Sequence, residues 1–175
     1  MSTHEAIVIL GTPRSGTTLL RRLLDAHPDI DAPGETHLLA GAARLLRSET
    51  TAQGVGMGAV PGLELLGFAP EVVRGRVREL AFSFHREHAQ RLGKSRFAIK
   101  TAIDSFYLEE LEPLLIGHAH VVCIVRNGLD VVASMDEMTR ETGTFLAELH
   151  DYVRDTPWPL EAYARAWSDL TRGLT

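Results

Sequence analysis

Apolar residues follow two patterns along this chain, and together the patterns predict alternating strands and helices. Short continuous apolar runs predict buried strands at residues 6–10, 97–100 and 121–125. Apolar positions that recur every three or four residues predict helices at residues 16–26, 38–46, 70–92, 105–115, 129–138, 144–154 and 160–174. Strands that alternate with helices predict an α/β fold, in which a parallel sheet carries helices on both faces.

The same patterns predict which side chains are buried. The run at 121–125 has the composition of a central strand covered on both faces, and Cys123 within it is expected to be a small buried apolar residue. Ser105 is a candidate cap for the helix that follows it. In the first helix the residues expected on one apolar face are Leu19, Leu20, Leu23 and Leu24. In the long helix predicted at residues 70–92 they are Val73, Val77, Leu80, Ala81 and Phe84.

Composition narrows the class of protein. A chain of 175 residues is long enough for one domain, and a net charge of −5 argues against a nucleic-acid binder. The single cysteine cannot form an internal disulfide. The sequence shows no stretch of membrane-spanning length and no signal segment at its N-terminus. These features together lead us to expect a cytoplasmic protein. Residues 48–69 are rich in glycine and predict a loop or lid. Because no strand follows the last helix, we interpret residues 1–175 as one domain that forms the N-terminal part of a longer one.

The segment AIVILGTPRSGTTLL (residues 6–20) carries the strongest chemical signal. The segment predicts a strand, then a loop that begins at Gly11, then a helix that begins near Gly16. This arrangement directs backbone N–H groups and the positive end of a helix dipole into one small space. Such a loop is suited to binding a phosphate group. It nearly matches the nucleoside-triphosphate loop G-x-x-x-x-G-K-[ST], but Thr17 stands in place of the lysine, and the cation of this loop is Arg14.

Two further cations follow strands. Lys100 ends the predicted strand at 97–100, and Arg126 follows the strand at 121–125, with Ser134 eight residues later. In open parallel sheets, ligands bind beyond the carboxyl ends of the strands. Arg126 with a hydroxyl nearby is typical of a phosphate clamp, although a surface or capping arginine would fit that position equally well when it is considered alone.

In combination, GTPRSGTTLL, KTA and VRNGLDVVAS resemble the sulfotransferases that use 3′-phosphoadenosine 5′-phosphosulfate (PAPS). The resemblance is closest to the bacterial branch in which PRSGTTLL is followed by HP and PGE. It covers about residues 6–140 and implies a P-loop-like, three-layer α/β/α fold. It also implies a transferase that moves a sulfonate group from PAPS to a hydroxyl or amine of a small molecule or glycan, with no metal ion.

The resemblance also implies roles for individual residues. The 5′-phosphosulfate would bind the loop made of Thr12, Pro13, Arg14, Ser15, Gly16, Thr17 and Thr18. Arg14 would neutralise charge on the bridging and phosphate oxygens. Arg126 and Ser134 would hold the 3′-phosphate, and Lys100 would lie near the transferring sulfonate.

The catalytic base is expected to be Glu35. Cytosolic animal sulfotransferases have a histidine two residues after the lysine, but Ala102 occupies that position here. Other branches use a glutamate after the first helix, where Glu35 lies in PGETH. Phosphosulfate charges would raise the pKa of this carboxyl, and Arg14 and Lys100 would counter them. Glu35 could instead cap the next helix, and His37 is a second candidate for the base.

Other interpretations remain open at the level of sequence. A P-loop kinase of small molecules would explain the loop, but it explains neither the missing lysine nor the Arg126 and Ser134 pair. A truncated, non-catalytic nucleotide-binding domain would retain the anion pocket. Two features depart from the family: Gly128 stands where a proline is usual, and the segment that usually completes the donor site is not found. The pattern identifies neither the acceptor nor the oligomeric state.

Overall fold

The computed structural model describes residues 5–144 and 147–174. In chain order the elements are β1 (Ala6–Gly11), α1 (Thr17–Asp25), β2 (Ile30–Asp31), α2 (Leu38–Leu46), β3 (Glu49–Thr50), β4 (Gly56–Met57), α3 (Ala59–Glu64), α4 (Pro70–Arg91), β5 (Arg96–Lys100), α5 (Leu108–Leu115), β6 (His120–Ile124), α6 (Gly128–Thr142), α7 (His150–Arg154) and α8 (Pro159–Leu174). Two 3₁₀ turns, Asp104–Tyr107 and Ala147–Leu149, precede α5 and α7.

The central sheet is parallel, with the strand order β2-β5-β1-β6. Its register places Ile9 beside Lys100 and Gly11 beside Ile124. The carboxyl ends of β1, β5 and β6 therefore lie at one edge of the sheet, where the chain turns into the phosphate-type loop, the Lys100 turn and the Arg126 turn. The predicted α/β fold with a central parallel sheet is confirmed.

Helices cover both faces of the sheet. On β1, Val8 and Leu10 face a large core formed with α2, α4 and α5, whereas Ile7 faces a smaller cluster with Ile30 and Leu24 of α1. This alternation is the two-residue period of a strand that is buried on both sides. The structure is thus a three-layer α/β/α sandwich, as the resemblance to sulfotransferases implied.

A separate apolar cluster joins α6 to α8. Val131 and Met135 of α6 pack against Tyr163 and Ala166 of α8, and all four side chains are buried. Because α6 begins directly after the Arg126 turn, this packing fixes the position of that turn relative to the sheet.

The prediction that β6 is a central strand was wrong. It pairs only with β1 in the part of the chain that the structure describes, and Val121 and Val122 are 43% and 38% exposed. Cys123 is exposed rather than buried, although its partial burial raises the pKa of the thiol. A continuous apolar run shows only that a strand carries no charged residues. It does not show whether that strand lies at the centre or at the edge of the sheet.

Two predicted helix faces also need correction. Leu19 and Leu23 of α1 are 64% and 63% exposed, because α1 turns only part of its surface to the sheet. In α4, Leu80 and Phe84 are exposed. The buried stripe of α4 consists instead of Val73, Val77, Ala81, Phe82, His85 and Ala89.

Three local predictions had mixed outcomes. Ser105 caps no helix, because its hydroxyl accepts from Gly11 N at 2.9 Å and donates to Gly11 O at 3.0 Å, tying the 3₁₀ turn to the end of β1.

Residues 48–69 contain the β3-β4 hairpin and α3, and a lid function for them stays a prediction. The helix expected at 144–154 is limited to α7 and the turn before it, and residues 145–146 lie outside the described residues.

No helix within the described ranges is long and apolar enough to cross a membrane.

Candidate active site

The loop after β1 has the backbone geometry of an anion cradle. Ser15 N donates to Thr12 O at 3.1 Å, which closes a turn, and the Thr12 and Ser15 hydroxyls are hydrogen-bonded to each other. Arg14 and Gly16 both have left-handed backbone conformations, with φ of 71° and 101°. Left-handed residues within such a loop turn successive N–H groups to one side, and Gly16 is also the residue from which α1 starts.

This cradle opens into a cavity of about 420 Å³ that contains most of the predicted site residues. The cavity is lined by Pro13, Arg14, Gly16, Thr17, Thr18, Glu35, Lys100, Ala102, Arg126, Ser134 and Met138. Of the remaining predicted residues, Thr12 and Ser15 belong to the same loop, and their buried side chains shape it. His37 is exposed and does not line the cavity.

One wall of the cavity is an arginine pair. Arg14 Nε donates to Ser134 Oγ at 3.0 Å, and Arg126 Nη1 donates to the backbone oxygen of Arg14 at 3.2 Å. Arg126 also faces Asp130 across 3.6 Å. These contacts link the loop after β1 to the first two turns of α6. Two guanidinium groups and a hydroxyl therefore converge at one end of the cavity, a combination that suits a phosphate group.

Trp167 supports this wall, and the sequence did not predict that it would. Its indole Nε1 donates to the backbone oxygen of Arg126 at 3.2 Å. A Cβ atom added at Gly128 would lie 2.9 Å from the Trp167 ring, too close for an ordinary contact. The glycine that replaces the family's usual proline therefore leaves room for the indole. Trp167 lies 41 residues from Arg126 in sequence, and no local pattern signals this contact.

We expect Gly128→Ala to weaken the binding of a 3′-phosphorylated nucleotide. The added methyl group displaces the Trp167 ring and with it the support of Arg126; overpacking of this kind costs about 1–3 kcal/mol. Isothermal titration with adenosine 3′,5′-bisphosphate measures the effect. Gly41→Ala is the control, because nothing lies within 4 Å of the added Cβ at that position. An unchanged Kd for Gly128→Ala would show that the indole does not position Arg126.

The opposite wall is a lysine and glutamate pair. Lys100 Nζ donates to a Glu35 carboxylate oxygen and to Thr18 Oγ1 at 3.0 Å, and the Lys100 side chain is 3% exposed. The second oxygen of Glu35 accepts from the Ala102 amide at 3.3 Å. Lys100 thus holds Glu35 on one side and Thr18, a residue of the anion cradle, on the other.

Burial alone would raise the pKa of Glu35, but the hydrogen bond from Lys100, the Ala102 amide and the positive charge of Lys100 outweigh burial and lower it. The expectation of a raised pKa refers to Glu35 beside a bound phosphosulfate and stays a prediction; in the protein by itself the pKa is lowered. That expectation gave most weight to donor charges, whereas the nearest charge to Glu35 is a buried ammonium. Glu35 also does not cap α2, whose N-terminal flanking residue is His37.

Asp104 is a site-adjacent residue that the sequence did not single out. It is fully buried, and the pKa of its carboxyl is raised to about 7 by burial and by the Glu35 charge. The Thr101 hydroxyl and the amides of Thr101 and Ala40 lie close enough to oppose this shift. No described residue, however, forms a well-aligned hydrogen bond with either carboxyl oxygen. A buried carboxyl with a raised pKa four residues after Lys100 is a candidate for a role in the site.

Comparisons with known proteins agree on one family. A family model described as "Sulfotransferase family" matches residues 6–174. The nodulation protein NoeE of Sinorhizobium fredii is 31% identical over 95% of this chain and 40% of its own length. Protein-tyrosine sulfotransferase A of Caenorhabditis elegans is 32% identical over 76% of this chain and 33% of its own length.

Solved structures show the same fold. The sulfotransferase domain of the curacin biosynthetic pathway superposes with a TM-score of 0.55 and 20% identity, over 96% of this chain and 60% of that domain. The sulfotransferase domain of the Synechococcus PCC 7002 olefin synthase gives a TM-score of 0.54 and 21% identity, over 97% of this chain and 59% of that domain.

The chain spans about two fifths of the length of NoeE and about three fifths of the two solved domains. The match over residues 6–174 is to sulfotransferases. The chain belongs to the sulfotransferase family.

Proposed function

We propose that this chain binds PAPS and transfers its sulfonate group to a hydroxyl or amine of a small molecule or glycan. One observation carries the proposal. A single cavity contains a loop that cradles anions, three cationic side chains on three strand ends, and a carboxylate hydrogen-bonded to one of those cations. The relatives named protein-tyrosine sulfotransferases make a tyrosine side chain a further acceptor to test.

The residues of the cavity suit the donor. The loop amides with Thr17 and Thr18 would hold the 5′-phosphosulfate, and Arg126 with Ser134 would hold the 3′-phosphate. Arg14 contacts Ser134 directly, so it lies between the two anionic groups and can neutralise both. Fixed cations and N–H groups in a partly enclosed site stabilise developing negative charge without reorganising, which is the largest contribution to catalysis in many transferases.

Glu35 and Lys100 would perform the proton transfer and stabilise charge. When PAPS is bound, the bond from sulfur to the bridging phosphate oxygen breaks while the acceptor oxygen or nitrogen bonds to sulfur. Glu35, ionised at neutral pH because of Lys100, accepts the acceptor proton. As that carboxylate is neutralised, the Lys100 ammonium is released from its ion pair and can donate to a negatively charged oxygen nearby.

The donor assignment is tested by comparing adenosine 3′,5′-bisphosphate with adenosine 5′-monophosphate in isothermal titration. We expect the bisphosphate to bind at least about tenfold more tightly, because a charge-assisted contact with a second phosphate contributes about 1.5–3 kcal/mol. Arg126→Ala should remove that preference. Arg140→Ala is the matched control, because Arg140 lies on α6, the helix that follows Arg126, but pairs with Asp136 outside the cavity. Equal affinity for the two nucleotides would contradict the proposal.

A non-catalytic nucleotide-binding domain would bind the same nucleotides but would not transfer sulfonate. Transfer of ³⁵S-sulfonate from PAPS to a panel of phenols, amines, glycans and tyrosine peptides separates the two roles. Nucleotide binding without transfer to any acceptor class would favour the binding role.

A further inference from the structure

Two histidines of α4 hold the two ends of the segment that carries Glu35. His88 Nδ1 is 2.7 Å from the buried Oδ2 of Asp31, where β2 ends. His85 Nε2 is 3.0 Å from Thr36 Oγ1, directly after Glu35. Residues three apart lie on the same face of a helix, so one face of α4 contacts both ends of this segment.

His85 is placed as a fixed support. Its side chain is 3% exposed, and its ring stacks on Phe97 of β5 with centroids 5.8 Å apart and planes 17° apart. Burial lowers the pKa of the imidazole more than the charge of Asp31 raises it, so the ring is neutral at neutral pH. A neutral imidazole has one donor and one acceptor nitrogen, and the Thr36 hydroxyl can complement either.

The segment between the two histidines is held at other points as well. The Ala32 amide donates to Asp25 Oδ1 at 3.0 Å, and Arg21 donates to the Ala32 backbone oxygen. At its far end His37 has a left-handed backbone with φ of 57°. This conformation costs a residue other than glycine roughly 1 kcal/mol, and it persists only where the surroundings enforce it.

Glu35 and Thr36 therefore have partners on two different elements. Glu35 is held by Lys100 and the Ala102 amide after β5, and the next residue, Thr36, is held by His85 on α4. On the other side of Glu35, Pro33 and Gly34 form no hydrogen bond within the described residues, so the bond from Thr36 to His85 is the tie to another element that lies nearest to the contacts of Glu35 itself.

We propose that His85 is a positioning residue: through Thr36 it fixes Glu35 against Lys100 and the Ala102 amide, while His88 fixes the start of the segment at Asp31. The consequence for catalysis rests on the proposed function, in which Glu35 is the base. The consequence for the geometry of Glu35 does not.

The test is the titration of Glu35 followed by carboxyl ¹³C NMR on the 175-residue protein. Thr36→Val removes the hydroxyl while keeping the shape of the side chain, and His85→Phe removes Nε2 while keeping the stack on Phe97. In both variants we expect the pKa of Glu35 to rise towards its ordinary value, because the contact with Lys100 loosens. The double variant should show no larger rise than either single variant, since both remove the same contact.

Thr139→Val is the matched control. It removes a 3.0 Å hydrogen bond to Tyr163 in the α6–α8 cluster, away from residues 31–37, and it should leave the Glu35 titration unchanged. An unchanged titration in Thr36→Val, with a folded protein, would overturn the proposal even if His85→Phe failed to fold.

Kinetics provide an independent measurement. If the chain transfers sulfonate, Thr36→Val should lower kcat by about tenfold or more through misplacement of the base, with the Kd for adenosine 3′,5′-bisphosphate unchanged. His85→Phe should lower kcat similarly, and His85→Gln, which keeps a polar group near the position of Nε2, should lower it less. A shifted Glu35 titration in a protein without turnover would support the positioning role while contradicting the proposed function.

Discussion

Replacing Glu35 with glutamine is expected to reduce the kcat of sulfonate transfer by about 10²- to 10⁴-fold, the usual contribution of a positioned base. Glutamine keeps the shape and an oxygen that can accept from Lys100, but it cannot take up the acceptor proton. Donor binding should change little, because the residues proposed to hold the two phosphates lie on the loop after β1 and on the Arg126 turn. The measurements are transfer of ³⁵S-sulfonate from PAPS and titration with adenosine 3′,5′-bisphosphate.

The pH dependence of the wild-type rate checks the same assignment. Lys100 and the Ala102 amide lower the pKa of Glu35, so the carboxylate remains ionised until the pH falls below the ordinary glutamate range. We therefore expect kcat/KM to be constant through neutral pH on the acid side and to fall only at low pH. A higher acid limb in kcat, with kcat/KM for the donor as expected, would mean that the bound donor raises the pKa of this carboxyl.

Glu161→Gln is the control for charge, because Glu161 lies on α8 in an exposed ion pair with Arg165. If Glu35→Gln transferred sulfonate at the wild-type rate, the base would have to be another group. His37 would be tested next, although it lies outside the cavity and lacks the contact with Lys100 that Glu35 has.

Much of the cavity could be predicted from the sequence because parallel strands end at the same edge of a sheet. Arg14, Lys100 and Arg126 each follow a strand, so predicting the strands was enough to bring the three cations together. The strand that carries Arg126 was placed in the centre of the sheet rather than at its edge, yet the convergence of the cations was still correct. It depends on strand direction and not on strand order.

The missed features depend on contacts between distant parts of the chain. The Trp167 and Gly128 contact joins α8 to the start of α6, and the His85 and Thr36 contact spans 49 residues. His85 and His88 lie three residues apart on one face of α4. Their partners could not be read from that spacing, because Thr36 and Asp31 lie 49 and 57 residues away in sequence.

Asp104 shows a second limit of sequence reasoning. Its position after Lys100 gives no sign that it is fully buried, and an aspartate near the start of a helix is more often a cap at the surface. Burial with poorly aligned partners raises the pKa of its carboxyl to about 7, from an ordinary value of 3.8. The folded protein therefore binds a proton at this carboxyl at pH values where the unfolded chain has released it.

Replacing Asp104 with asparagine is consequently expected to stabilise the protein above neutral pH. Below the unfolded pKa, near pH 4, both states of the wild type are protonated at this carboxyl and the variant has little advantage. As the pH rises to about 7, the wild type loses about 1.4 kcal/mol of stability per pH unit at this site, because a raised folded pKa means stability that is lost as the pH increases. Above pH 7 the difference is constant, at about 4 kcal/mol in favour of the variant.

Urea unfolding of both proteins between pH 4.5 and 8.5 measures this difference. Asp151→Asn, at a side chain that is 78% exposed, should stay within about 0.5 kcal/mol of the wild type throughout. Free energies of unfolding for Asp104→Asn and wild type that differed by the same amount at every pH would mean that Asp104 has an ordinary pKa in the folded protein. A difference that grows up to pH 7 would instead show that the fold keeps a costly carboxyl behind Lys100 and Glu35.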